Sequence, residues 1–252
     1  MVEKSQLRDQ LFAHLCQLTD ECLRDSEVLR LDKNHPQQLY STLCYGTILE
    51  LALGIRTLIQ AGQTMCVPIL LRSILEAFAS FRALLSDPNY FKSMYASFLS
   101  EKVRLLESAA ANPESPYLKP LVTSVNVPEE KVNLSKEIAD LAKQGYGPVS
   151  IKRQFAKAGL EGEYDSIYWQ LCLETHNNVS ALEDRHIEQV GEDFRTTFFK
   201  GEDVRDAMRY MDSLCGILTQ ASLELHSKLQ TGAEAHYQAQ FERLNALRKE
   251  YQ

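Results

Sequence analysis

The sequence predicts an all-α protein, a multi-helix bundle organised around a central apolar helical hairpin. Apolar residues recur at helical spacing through most of the chain, and prolines and glycines fall at the ends of the periodic runs. No segment alternates apolar and polar residues over a useful strand length. With 252 residues, 44% of them apolar and 24% charged, the chain has a globular composition and enough material for a large core. One domain over 1–252 is the expectation.

Gln6 to Arg30 is amphipathic, with Leu7, Leu11, Leu15, Leu18, Cys22 and Leu29 near one face, and Asp32 to Pro36 stops it. The next run, about Gln37 to Ala61, is apolar nearly all round, with Leu43, Thr47, Leu51, Gly54 and Leu58 on one line, as a central helix should be. Gly62 suits its C-terminal cap and Pro68 the first turn of the following helix, so the two form an antiparallel hairpin. That following helix, Cys66 to Leu85, carries Val67, Leu70, Ile74, Phe78, Phe81 and Leu85 on one face and Arg72, Glu76 and Ser80 on the other. Leu71, Leu75 and Leu84 widen the apolar side until little is left for water, so the Arg72–Glu76 stripe is expected to face other protein.

Asp87 and Pro88 fit the N-cap and first position of a fourth helix, reaching about Ala110. Asn112 to Pro128 holds four prolines and no helical period, and is expected to be the longest irregular connection. Charged helices follow at about Glu129 to Gln144 and Ile151 to Ala158; without a basic recognition face they do not make a DNA-reading pair. Tyr164 to Val190 reads as one long helix. Leu171, Cys172, Thr175, Val179, Leu182 and His186 fall within roughly 60° of Tyr168, and His176 at roughly 80°, giving an internal face an unusually polar stripe. Gly191 to Gly201 is expected to be a loop anchored by Phe198 and Phe199. Helices at Asp203 to Gln230 (Val204, Met208, Met211, Cys215, Leu218, Ser222 and Leu225 in one stripe) and at the C-terminal end (Tyr237, Phe241, Leu244, Tyr251) complete the chain. The helices at about 38–61, 66–86 and 164–190 are expected to be central.

A net charge of −7 with both signs dispersed gives no basis for general affinity toward nucleic acid or anionic membranes. The six cysteines, Cys16, Cys22, Cys44, Cys66, Cys172 and Cys215, form no C-x-x-C pair and read as reduced apolar residues. The opening MVEKSQLRDQ lacks the apolar core of an export signal. Leu39 to Ile59 is interrupted by Glu50 and Arg56, and a charge near mid-bilayer costs about 2.5–3.5 kcal/mol, so a core helix is expected rather than a membrane span. The expected location is the cytoplasm.

Arg72 and Glu76 are four residues apart, a pairing that supports an exposed helix by only about 0.2–0.5 kcal/mol. On so apolar a helix, the two charges belong either to a satisfied network that fixes helix register or to a pocket. Glu183 and His186 have the spacing of one half of a di-iron site, but no second copy of the motif exists, and no metal is expected. Cys172 and His176 could meet on one helix face as thiol and base, yet no third partner is visible. Glycine-rich phosphate loops are absent, and no cofactor is expected.

LLRSILEAFASFRALLSD, followed downstream by Tyr168 and by LCLETHNNVSAL, resembles an all-helical prokaryotic family known only as domain of unknown function 5677. Its R-x-x-x-E helix and later Tyr-to-His helix are matched by Arg72, Glu76, Tyr168 and His176, over roughly Tyr40 to Phe199. The resemblance implies a helical bundle and almost no chemistry. A more distant likeness is to HEPN-type helical proteins, many of them metal-independent ribonucleases of toxin and phage-defence systems, with an Arg-to-His motif on a late helix. Here such spacings occur early, at Arg8 to His14 and Arg30 to His35, while the late helix has Arg185 and His186 adjacent, a departure from that pattern.

The expectation is therefore a helical binding or interaction module in a bacterial stress or phage-defence setting, whose partner is a protein, a small ligand or further copies of itself. The alternative is a HEPN-like ribonuclease or phosphodiesterase, with His176 as general acid or base and Arg72 and Glu76 completing the centre; RNA is a partner only then. Tyr168, Thr175 and His186 are the expected ligand-binding residues.

Overall fold

The computed structural model describes residues 4–32, 34–176, 178–198 and 201–251. Its centre is the expected hairpin of α2 (Pro36–Gln60) and α3 (Val67–Ser86), joined through a short 3-10 turn at Thr64–Cys66. Gly62, at a φ of 69°, supplies the left-handed residue that ends α2, and Pro68 sits in the first turn of α3. At Gly54 an added Cβ would stand 3.1 Å from Leu70 Cδ1, so the two helices pack closely enough there that the end of the Leu70 side chain would have to shift by a few tenths of an ångström. Both stretches are long and apolar enough to cross a membrane, yet Ile48, Ala52 and Ile55 of α2 and Leu71, Ile74 and Phe81 of α3 are buried in one shared core. The buried line of α2 is not the Leu43–Thr47 line expected; Leu43 is 55% exposed.

Around the hairpin lie α1 (Lys4–Ser26), α11 (Val204–Leu229) and α12 (Glu234–Tyr251). Leu11, Leu15 and Leu18 of α1 meet Met211, Leu214 and Leu218 of α11 in the main core. Inside it, Tyr45 and Cys22 both bond the Ser222 hydroxyl, at 2.8 and 3.2 Å. His14 is fully buried with neither ring nitrogen bonded, and burial pushes its pKa down to about 4, so it is carried neutral. A smaller cluster of Leu99, Leu106, Val127 and Leu134 holds α4 (Tyr90–Ala111) to α6 (Val127–Lys143).

Three expectations are corrected. The proline-rich 112–128 connection contains α5 (Lys119–Ser124), and α6 begins within it, because Pro120 and Pro128 occupy first turns, where the missing N–H costs nothing. The 164–190 segment is not one central helix. After α7 (Ile151–Lys157) and the single turn α8 (Glu161–Glu163), a wide π-type turn at Tyr164–Tyr168 leads into α9 (Trp169–Thr175), and the chain restarts as α10 (Val179–His186). The restart is set by Asn178, whose side chain accepts the Ala181 N–H at 3.0 Å. Among the described residues of the segment only Tyr168, Leu171 and Ala181 are buried, and α11 takes the central place expected of 164–190.

Strand is also present. β1 (Ile187–Val190) pairs antiparallel with β2 (Asp193–Thr196) across a turn in which Gly191 has a φ of 65°. Glu188 and Arg195 face each other at 2.8 Å across the ladder. Phe198 is 72% exposed and its ring meets only that of His186 among the described residues, so it does not anchor the segment in the core, while Phe199 lies outside the described residues.

Candidate functional site

The polar stripe of α3 does face protein. Gln154 of α7 donates to the Glu76 carbonyl and the Ser80 hydroxyl, both at 2.8 Å, and fully buried Phe155 packs edge-on to Tyr164 and tilted against Tyr168, with ring centroids 5.5 and 4.8 Å away. Those aromatic contacts place Tyr168 over α3. Its hydroxyl donates to Glu76 Oε1 at 2.8 Å and accepts from Arg72 Nη2 at 3.1 Å, while Arg72 pairs with Glu76 at 2.9 Å. Arg72 Nε adds a bond to Cys172 Sγ at 3.3 Å, and its guanidinium lies 5.4 Å from the Tyr168 ring centre. Burial, and then the Glu76 hydrogen bond, push the Tyr168 hydroxyl well above the ordinary phenol range, so it stays a neutral donor. Arg72 and Glu76 keep 27% and 29% of their side-chain surface, less buried than the apolar helix suggested.

The remaining expected site residues go elsewhere. Thr175 bonds its own helix at Cys172 O, 3.1 Å away. His176 caps the end of α9 with an exposed side chain and, among the described residues, makes no side-chain bond. His186 sits where α10 meets β1, its Nδ1 3.3 Å from Thr197 O and its ring 5.7 Å from that of Phe198. Arg72, Glu76 and Tyr168 are thus brought together, joined by Cys172, without Thr175, His176 or His186. Glu183 and His186 gain no third ligand: among the described residues no group of three or more His, Cys, Asp or Glu could hold a metal.

The other side of α9 opens onto a cavity of about 530 Å³, closed by α10, the 3-10 turn before α3 and the start of α11. Trp169 and Glu174 line it from α9, Arg185 from α10, and Asp206, Arg209 and Tyr210 from α11. Tyr210 donates to Glu174 Oε2 at 2.9 Å and accepts from Arg209 at 3.2 Å; Arg209 also lies 3.6 Å from Glu174 Oε1 and 3.3 Å from Asp206. Arg185 donates to the Glu174 carbonyl. Asp203 caps α11 by accepting from Arg205 and Asp206 N–H groups, at 2.8 and 3.1 Å, which fixes how Asp206 and Arg209 are presented. Burial raises the Glu174 pKa despite the Tyr210 bond, and burial followed by the Glu174 charge raises that of Tyr210. A broader groove of about 850 Å³ beside Arg82 is more open and is crossed by an Arg82–Glu224 pair at 3.2 Å.

The fold and these two polar centres define a helical bundle in which one short helix is latched to the core hairpin on one side and borders a cavity on the other. The family of unknown function DUF5677 matches residues 38–194, and the chain belongs to it. The match includes the latch, Glu174 and Arg185, and stops before Arg209 and Tyr210. No curated protein and no solved structure shows significant similarity to the chain.

Proposed function

We propose that the protein is a binding module whose ligand enters the cavity between α9, α10 and α11. The carrying observation is the convergence of Glu174, Arg185, Arg209 and Tyr210 on about 530 Å³ of space, of a size and mixed lining suited to a small molecule. The Arg72 cluster offers less to a ligand. Its groups already hold one another, Arg72 against Glu76, Tyr168 and Cys172 and the Tyr168 hydroxyl against Glu76. RNA cleavage needs Arg72 and His176 at one centre, and no contact joins them among the described residues. Six unbridged cysteines fit a reducing cytoplasm. The stress or phage-defence setting rests on sequence resemblance alone.

The test uses Trp169, the single tryptophan of the chain and a cavity residue. Titrating a panel of small metabolites should give saturable fluorescence changes and raised melting temperatures for at least one class. Ser180→Phe, which fills the cavity from an exposed position on α10, should remove both responses without lowering the melting temperature of the free protein. Responses that survive the filled cavity would place the ligand elsewhere.

A further inference from the structure

We propose that the cavity takes a small organic cation, a primary amine or guanidine on a short apolar stem, with its charged end at Glu174 and its stem toward Trp169. The inference rests on the cavity being the binding site and adds the chemistry of the occupant.

Charge is the first support. Of the described lining residues, Glu174, Asp184, Asp203 and Asp206 are acidic and Arg185 and Arg209 basic. Both guanidiniums are already engaged. Arg209 lies against Glu174, Asp206 and Tyr210, and Arg185 is bonded to a carbonyl, so an anionic ligand has to compete with acceptors already placed on both arginines. A cation meets no such demand. Glu174 Oε2 accepts from Tyr210, but Oε1 is 3.6 Å from Arg209, beyond hydrogen-bond range, and retains acceptor capacity for a ligand N–H. Burial and the neighbouring Asp206 charge both make ionised Glu174 less comfortable, which an incoming cation relieves.

Shape is the second. On α9 the cavity face runs from Trp169 through Leu173 to Glu174, an arc of roughly 140° that is apolar at one edge and anionic at the other. Trp169 is 58% exposed and Leu173 39% exposed, an unfilled apolar ledge beside the carboxylate. A molecule with an apolar stem and a cationic head matches that gradient. The chain's net charge of −7 favours its approach.

The experiment holds the stem constant and changes only the head: hexylamine, hexanol and hexanoate are titrated against the full chain, reading Trp169 fluorescence and melting temperature. Hexylamine should bind at least about tenfold more tightly than hexanoate and more tightly than hexanol. Glu174→Gln, checked for a melting temperature no lower than that of the wild type, should lower hexylamine affinity by about fivefold or more and leave hexanol unchanged; Asp206→Asn should weaken hexylamine in the same direction. Hexanol binding as well as hexylamine, or hexanoate binding best, overturns the cationic assignment and leaves the cavity in place. No response to any of the three, in fluorescence or melting, overturns the cavity itself as a binding site.

Discussion

The two sides of α9 hold similar chemistry in opposite states. Toward α3, an arginine, a glutamate and a tyrosine form a closed triangle in which each group has a partner, with Phe155 packed beneath. Toward α11, an arginine, a glutamate and a tyrosine again meet, but one Glu174 oxygen stands 3.6 Å from Arg209 and the group borders open space. The same three residue types therefore form a closed triangle where packing completes it and border open space, the proposed ligand site, where it does not. What separates them is the neighbour: a fully buried aromatic ring on one side, a cavity on the other.

If the α3 side is a latch, its largest sensitivity lies in the ring that seats it. Phe155→Ala should cost about 3–5 kcal/mol, because a fully buried phenyl is lost and Tyr164 and Tyr168 lose the surface they pack on. Chemical denaturation measures it. A loss under about 1 kcal/mol would mean that Tyr168 is held by something other than α7.

Arg72→Ala is next, at about 1–3 kcal/mol, since Glu76 keeps the Tyr168 bond but loses its ion pair, and both charges are already partly wet. Tyr168→Phe should cost about 0.5–1.5 kcal/mol for the lost hydroxyl. The double variant should cost less than the sum of the two, because the residues share one network. Strict additivity in melting experiments would break the triangle into unrelated contacts.

Much of the latch was legible in the sequence, and almost none of the cavity. Arg72 and Glu76 stood out because charges on a helix with so little polar surface must meet protein, and Tyr168 because it led the only downstream stripe with matching chemistry. The α2–α3 hairpin was legible from Gly62 and Pro68, whose backbone roles are local. The break after His176 was not, because a single Asn178 cap interrupts a run whose apolar period continues through it. That break carries Val179 and Leu182 to the surface and His186 into a strand junction. The cavity joins Glu174, Arg185 and Tyr210 from three elements, and no spacing along the chain encodes their meeting. The lone tryptophan beside Tyr168 was the one available signal, and periodicity ranks it no higher than any other apolar residue.

The smallest effect distinguishes the two sides most sharply, because its sign is reversed. Glu174→Gln keeps the shape and an acceptor for the Tyr210 hydroxyl while removing a charge that burial disfavours. The folded-state pKa of Glu174 lies above its unfolded value, so its contribution to stability is fully present below the unfolded carboxylate range and is lost as pH rises through the folded value. The glutamine variant does not titrate there. Its melting temperature should therefore gain on the wild type as pH is raised from acid toward neutral and then hold a constant lead, within about 0.5 kcal/mol. On the latch side the order is the opposite: Glu76→Gln discharges a carboxylate that Arg72 and Tyr168 both hold, and should destabilise at neutral pH. Melting both variants across the same pH series compares them directly. Glutamine substitutions that lower stability equally at 174 and 76 would show that the cavity side is as closed as the latch.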